Sequence, residues 1–268
     1  MTLTLYHADT AVCAAKVRVT LAEKGLAYES CLINLHEGEQ FKPDYLQLNP
    51  NAVVPTLIHD GAVLIESGVV NEYLDEAFPA NPLRPEDLVA RARMRQWTKR
   101  EDTIHDAINT MTAVIIFRHD LMQKPPEERA KRYEAMPNLA KRAKWVRMME
   151  EGIESGLVRD ALQHFAKLYI DMEKALAEGP WLTGERFTLA DIGFISFFYR
   201  LEMLQCEGLW RDHFPRVTDW FERCKARPSF KSAILDLVPP PAYPKYEQIA
   251  RPLWPKVDAV WRDVLTLF

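Results

Sequence analysis

The sequence predicts an α/β unit of about eighty residues followed by a domain built almost wholly of helices. Three observations carry that expectation. Strand and helix signals alternate over residues 3–78 in the order β-α-β-(α)-β-β-α. An Asp-Gly pair separates two β-branched runs within that stretch. From Glu86 onward, apolar residues recur at helical spacing with almost no strand signal.

The elements follow in order. LTLY (3–6) reads as a short strand. AVCAAKVRVTLAEKG (11–25) has helical spacing, with Val12, Ala15, Val19 and Leu21 or Ala22 on the buried face and Gly25 as the C-terminal cap. AYESCLINL (27–35) reads as a second strand. Residues 36–52 are polar and irregular, with one helical turn around Tyr45-Leu46. NAVVPTLIHDGAVLIESGVV (51–70) then gives two short strands joined by a turn at Asp60-Gly61. A proline entering the first of them cannot donate a ladder hydrogen bond, so Pro55 belongs at an edge or a special turn. SGVVNEYLDEAF (67–78) is a helix ended by Pro79. The boundary falls near 80–87, giving units 1–82 and 87–268.

In the second part, Ala90, Met94, Trp97, Ile104, Ile108, Met111 and Ile115 predict one helix of about thirty residues. Residues 117–141 carry Pro125, Pro126 and Pro137 and form the longest break, within an insertion at about 117–150. A second long helix is expected over 142–178, ended by Gly179-Pro180. FTLADIGFISFFYRLEML (187–204) is almost wholly apolar after Asp191 and reads as a central buried helix. Thr188 and Asp191 have capping-box spacing, and Phe187 stands at the staple position. FPRVTDWFERCKARPSF (214–230) gives a shorter helix, and PPPAYPKY leads to an apolar closing segment. No internal repeat is present.

Bulk properties narrow the function. A net charge of −4 gives no reason to expect nucleic acid as the main partner. Residues 128–147 hold seven Lys or Arg against two Glu, which reads as a solvated face or an attractor of anionic conjugates. Cys13, Cys31, Cys206 and Cys224 form no CxxC and no zinc-like spacing with His, so no metal is expected. That usage suits a reducing cytoplasm. The amino terminus lacks signal-peptide character, and no apolar run is long enough to span a membrane.

Four segments together, KVRVTLAEKGL (16–26), LNPNAVVPTL (48–57), ESGVVNEYL (66–74) and FTLADIGF (187–194), resemble the cytosolic glutathione transferases over essentially the whole chain. The resemblance implies a thioredoxin-like domain at 1–82, an all-helical bundle at 87–268, glutathione as co-substrate, and a small hydrophobic or aromatic electrophile. It also implies a homodimer formed through the helix at 67–78 and the first helix after the boundary. Pro55 would be cis, and the backbone of Val54 would pair with the cysteinyl part of glutathione. Glu66 and Ser67 would meet its γ-glutamyl end, where a helix start suits a carboxylate. Read without the family, Ser67 is a helix cap and Pro55 a turn.

Two departures stand out. Val53 occupies a place where the family often has Lys or Gln, and the usual hydroxyl position of the loop HADTAVCAAK (7–16) falls on Ala11. A helix N-terminus itself favours a thiolate. Thr10, one residue away, and Cys13 are the candidate helpers. Cys13 reads equally as a small buried hydrophobe. Tyr6 is expected to pack inside its strand.

Finer details, MTLTLY through LAEKGL, RARMRQWTK (91–99), KWVRMMEEGI (144–153) and the insertion, are similar to the bacterial glutathione-dependent β-aryl etherases of lignin breakdown. That similarity implies thiolate attack on a carbon bearing an aryloxy group beside a ketone. The substrate would lie between loop 7–13 and the long helices, against Trp97, His105 and Ile108. Such residues are also ordinary core, and Glu101 and His105 read equally as a dimer contact or a satisfied interior hydrogen bond. Other readings stay open: thiol-disulfide chemistry at Cys13, or a non-catalytic binder of glutathione or a hydrophobic ligand. A zeta-like isomerase is disfavoured because the loop reads Ala-Val-Cys rather than Ser-Ser-Cys.

Overall fold

Burial alternates strictly along the first strand, with Leu3, Leu5 and His7 inside and Thr4 and Tyr6 half-exposed, the period of a pleated ribbon. The structure, a computed structural model, describes residues 2–35, 37–134, 136, 138–239 and 242–268. The strands are β1 (Leu3–His7), β2 (Glu29–Leu32), β3 (Thr56–His59) and β4 (Ala62–Leu64). They form one sheet in the order β2-β1-β3-β4. β2 runs parallel to β1, and the other two pairings are antiparallel. The parallel pair requires a crossover, which α1 (Val12–Lys24) supplies. β3 and β4 are joined by Asp60 and Gly61, both at positive φ as a tight hairpin demands. Pro55 immediately precedes β3, an interior strand, so it occupies the special turn and not an edge.

The chain divides into two compact units. The first comprises Met1–Glu101, Ala175–Ser196 and Asp219–Pro239. Its sheet packs Leu3, Leu5 and Leu57 against Val17 and Leu21 of α1 and Val70 and Leu74 of α3 (Ser67–Ala77). The second comprises Asp102–Lys174, Phe197–Thr218 and Pro240–Phe268. There Tyr169, on α9 (Gly156–Ala175), is ringed by Phe165, Phe198, Trp210, Phe214 and Trp261 at centroid separations of 5.4–6.3 Å. Among the described residues no helix is long and apolar enough to cross a membrane.

α1 departs from the amphipathic helix expected of it. Residues 14–21 are buried without interruption, whereas Val12 is half-buried and Ala22 exposed. The sheet covers one side, α3 another, and α13 (Pro228–Ala233) a third. Its three cations are therefore interior. Lys16 pairs with Glu101 at 2.5 Å, and Lys24 reaches the carboxylate of Asp75 at 2.8 Å and the carbonyls of Ala80 and Asn81. Arg18 turns to the loop after β1. Asp75, fully buried, also accepts from Arg84 and from the Leu83 N–H, so one carboxylate fixes the whole segment that follows α3. Glu101 is thus a satisfied interior partner, one of the two readings its position allowed. Its carboxylate fills the place a Cβ on Gly193 would occupy.

The helical part corrects several expectations. The single helix over residues 86–115 is two, α4 (Leu88–Thr98) and α5 (Glu101–Thr112), interrupted at Lys99-Arg100 and followed by a π-helical turn at Ala113–Phe117. The apolar face resumes after the interruption, so periodicity alone reads straight through it. The helix expected over 142–178 is likewise α8 (Leu139–Glu151) and α9, parted by a 3-10 turn at Gly152–Glu154. The break expected at 117–141 contains α6 (Arg118–Met122) and α7 (Pro126–Glu134). Pro126 begins α7, where a missing N–H breaks no bond. Pro137 lies outside the described residues. The second strand is four residues long, not nine, and the closing segment is two helices, α14 (Ala242–Ala250) and α15 (Trp254–Leu265).

α10 (Leu189–Met203) is buried throughout except at Tyr199 and Glu202, which are half-buried. Asp191 accepts from the Thr188 N–H at 2.9 Å, as a capping box requires, and also from the Leu182 N–H and the Trp220 indole. Trp220 lies on α12 (Pro215–Lys225), so the cap also ties that helix down. Burial pushes the Asp191 carboxyl up to about 6 despite these donors.

Replacing Asp75 by Ala strands Lys24 in the interior. The expected loss in unfolding free energy is about 3–5 kcal/mol, read from equilibrium urea denaturation; a loss below about 1 kcal/mol would contradict the anchoring role.

Candidate functional site

β1 ends at His7, and residues 8–11 carry the chain into α1. Arg18, on α1 and 1% exposed, donates through Nη1 to the Ala8 carbonyl (3.0 Å), through Nη2 to the Asp9 carbonyl (3.0 Å) and through Nε to the Ala233 carbonyl (2.8 Å). Its Nη1 also lies 3.2 Å from Nδ1 of buried His7, whose Nε2 is 2.7 Å from Ser30 Oγ. A guanidinium only donates, so Nδ1 is the acceptor and the ring proton sits on Nε2, directed at Ser30. Burial first, and the Arg18 cation second, bring His7 down to about 4. Burial lowers Arg18 to about 10, still far above neutrality.

Ala11 is the N-cap of α1, with extended φ and ψ of −69° and 117° and no side-chain hydrogen bond. No acidic residue stands in the first turn, so its N–H groups receive no carboxylate from their own helix. The Thr10 N–H donates to the Asp9 carboxylate at 2.6 Å. Cys13, second residue of α1, is half-buried and in no disulfide.

The second part of the site is the segment before β3. The Val54–Pro55 peptide is cis, and Val54 is buried. Two buried residues of the preceding stretch hold it: Tyr45 on α2 (Pro43–Leu48) and Asn49 at that helix's C-terminus. The Tyr45 hydroxyl donates to the Val53 carbonyl at 2.6 Å and accepts from the Thr56 hydroxyl at 3.0 Å. The Asn49 amide donates to the same carbonyl at 2.9 Å and to Thr56 Oγ1 at 3.1 Å. The three side chains thus close a ring in which every proton has one acceptor. Val53 itself is 51% exposed.

These two parts meet. Ala8, Ala14, Tyr45 and Val54 form one buried cluster, with Tyr6, Ala11, Ile33 and Leu48 packed against it. Tyr6 lies 5.8 Å from Tyr45, ring to ring. The helix start beside Thr10 and Cys13 and the cis segment at Val54 are therefore neighbours.

The third part follows β4. Glu66 is exposed and caps α3 with φ 67° and ψ 104°, a conformation that costs a side-chain-bearing residue on the order of 1–3 kcal/mol and marks functional positions. It makes no side-chain cap bond, so the first turn of α3, which Ser67 opens while 9% exposed, has no carboxylate of its own.

Of the residues proposed to face a second substrate, Trp97 stands edge-on to Phe194 in the first unit, with the Arg100 guanidinium 5.0 Å above its ring. His105 and Ile108 belong to the second unit. His105 stacks on Phe197 and hydrogen-bonds Asn109, and Ile108 is core. In the basic stretch, Trp145 packs on Phe117, while Lys144 binds Asp106. Arg18, His7, Tyr45, Asn49 and Thr56 were not anticipated. The i,i+4 pair Tyr45/Asn49, just before a Val-Val-Pro run, is the signal that could have revealed the clamp.

Comparison with known proteins bears on the family and the fold. The model of the glutathione S-transferase N-terminal domain matches residues 1–76, and that of the C-terminal domain matches residues 129–223. The protein LigF of Sphingobium sp. strain SYK-6 is 29% identical over 242 residues, covering 86% of this chain and 92% of its own. A tetrachloro-p-hydroquinone reductive dehalogenase of Sphingobium chlorophenolicum is 29% identical over 238 residues, covering 86% and 95%. The crystal structure of the β-etherase LigF superposes with a TM-score of 0.74 at 28% identity, over 87% of this chain and 98% of that one.

His7 gives the site a pH signature. Between about 6.5 and about 4 the unfolded chain takes up a proton that the folded chain refuses. Its contribution is complete above pH 6.5 and lost as pH falls to about 4, a decline of roughly 3 kcal/mol. Urea midpoints at pH 7 and pH 4.5 should fall less steeply for His7→Gln, which keeps both hydrogen bonds without titrating; equal slopes would contradict the assignment.

Proposed function

This chain belongs to the glutathione S-transferase family, and from that premise we propose that it catalyses attack of the glutathione thiolate on the β-carbon of a β-aryl ether ketone, releasing a phenol. The observation that carries the reading is the junction at Ala11 and Val54, where a helix start without a side-chain cap adjoins a buried, clamped strand entrance. The Val54 backbone pairs with the cysteinyl portion of glutathione in strand fashion. Pro55 fixes that segment. Ser67 and the opening N–H groups of α3 receive the γ-glutamyl carboxylate, and Glu66 balances its ammonium. We assign this machinery to a thioredoxin-like domain at 1–82, followed by a helical domain at 87–268.

The cysteinyl sulfur then lies by the start of α1. Its proton leaves to solvent, and the thiolate is stabilised by the helix N-terminus, with the Thr10 hydroxyl as donor. A C–S bond forms as the C–O bond to the aryl group breaks, and the phenolate departs with the bonding pair. The adjacent ketone lowers the barrier, and no oxidant is consumed. The names of the relatives, a β-etherase and a reductive dehalogenase, support displacement at a carbon bearing a leaving group.

A second reading rests on Cys13, half-buried in the first turn of α1. Its thiolate would attack a glutathione mixed disulfide, and a second glutathione would release it as glutathione disulfide. Assay with a fluorogenic β-aryl ether ketone separates the readings. Phenol release should require both protein and glutathione, survive Cys13→Ser, and need about tenfold more glutathione in Ser67→Ala. Loss of all turnover in Cys13→Ser would favour the thiol-exchange reading. No release despite calorimetric binding of glutathione would sink the etherase assignment.

We also propose a homodimer. Val69 on α3 and Leu88 and Val89 on α4 are 60%, 75% and 61% exposed, the apolar residues expected at the family interface. Light scattering should give twice the 31.0 kDa chain mass for the wild type and a monomer for Leu88→Glu with Val69→Glu. A monomeric wild type would refute this.

A further inference from the structure

We propose that Arg18 is a positioning residue of the thiol-activating loop and the fixed positive charge that lies behind it. The inference rests on the glutathione reading above and deepens it.

Arg18 is an interior cation to which, among the described residues, no carboxylate is hydrogen-bonded. Its four hydrogen bonds go to neutral acceptors, the carbonyls of Ala8, Asp9 and Ala233 and Nδ1 of His7. The other two basic residues of α1 are neutralised, Lys16 by Glu101 and Lys24 by Asp75. The one nearby carboxylate, Asp9, is half-exposed and turned to the Thr10 N–H. Tyr28 is the remaining titratable neighbour, and burial raises its hydroxyl, which therefore stays neutral. His7 is neutral as well, so among the described residues the Asp9 carboxylate, which acts on Arg18 through space without a hydrogen bond to it, is its countercharge. Burying such a charge is costly, and its four hydrogen bonds offset that cost.

Its placement has a direct consequence at the loop. In a trans peptide the C=O and N–H point in opposite directions. With the Ala8 and Asp9 carbonyls drawn onto the guanidinium, the N–H groups of Asp9 and Thr10 are directed away from Arg18. The guanidinium thus orients two peptide dipoles with their positive ends away from itself, the Thr10 N–H onto the Asp9 carboxylate, and it adds its own charge behind them. In a water-poor interior such a field acts at longer range than in solvent. It favours an anion at the place where the glutathione sulfur is assigned, in a loop that has Ala at the customary hydroxyl position. The charge takes over part of what a hydroxyl does elsewhere.

The test is the ultraviolet thiolate absorbance of bound glutathione as a function of pH, with folding checked by circular dichroism and urea denaturation for each variant. In Arg18→Gln the thiolate titration should move up by about one pH unit, leaving about tenfold less thiolate near neutrality. Turnover should fall about as far at saturating glutathione, with KM changing less than kcat. Arg18→Lys keeps the charge but serves fewer carbonyls. It should restore the titration to near the wild-type position while remaining slower in turnover, a recovery that a purely structural role would not give. If Arg18→Gln does not fold, Arg18→Lys carries the test: wild-type turnover in it would overturn the proposal. A folded Arg18→Gln whose thiolate titrates with the wild type would overturn this inference alone. A wild type that shows no bound thiolate at all would overturn the glutathione reading and this inference with it.

Discussion

The first unit depends on burial of the three cations of α1. Lys16, Arg18 and Lys24 would be the solvent face of an ordinary amphipathic helix, yet each is at most 4% exposed. Each side chain spans from the helix to a different segment: the start of α5, the loop after β1 together with Ala233, and the stretch at residues 80–84 through Asp75. α1 is therefore the hub to which these segments are fastened. Because an unpartnered interior charge is so unfavourable, each connection is close to obligatory once the helix is covered.

This arrangement makes the candidate site largely a backbone construction. Arg18 sets the loop after β1 by its carbonyls. The ring of Tyr45, Asn49 and Thr56 sets the cis segment by the Val53 carbonyl. The first turns of α1 and α3 lack capping side chains. What such a site offers a peptide-like ligand is N–H and C=O groups at fixed positions, with the specificity of a strand entrance and the anion preference of helix starts. Side-chain chemistry is confined to a few small groups, Thr10, Cys13 and Ser67. The reaction proposed for it needs a positioned thiolate more than a strong base.

The two units differ in how their cores are specified. Around its sheet the first mixes aliphatic packing with buried ion pairs and hydrogen-bonded polar residues, while its later segments add aromatic contacts among Trp181, Phe187, Trp220, Phe221 and Phe230. The second is organised by aromatic rings around Tyr169, whose hydroxyl is buried. Aromatic side chains fill volume with few rotatable bonds, so this core is fixed by shape where the core around the sheet is fixed by direction.

The succession of strands and helices along residues 3–78, the hairpin at Asp60-Gly61, the helix that Ser67 opens and the buried helix after Thr188 were all legible in the sequence, because each rests on contacts within a few residues. Proline, glycine and capping residues act locally, and so does period-two or helical spacing. The interruptions at Lys99-Arg100 and Gly152–Glu154 were not legible, since the apolar face continues across them and only the packed neighbours decide where a helix bends. Nor was the interior fate of Lys16, Arg18 and Lys24. A basic residue among apolar ones reads as solvated until the elements that cover it are known, and here Glu101, Asp75 and Ala233 stand 85, 51 and 215 residues away from their partners. The sequence by itself determined the fold class and where glutathione would be sought. The tertiary structure alone decided which charges are buried, because burial is a property of what packs on a helix and not of the helix itself.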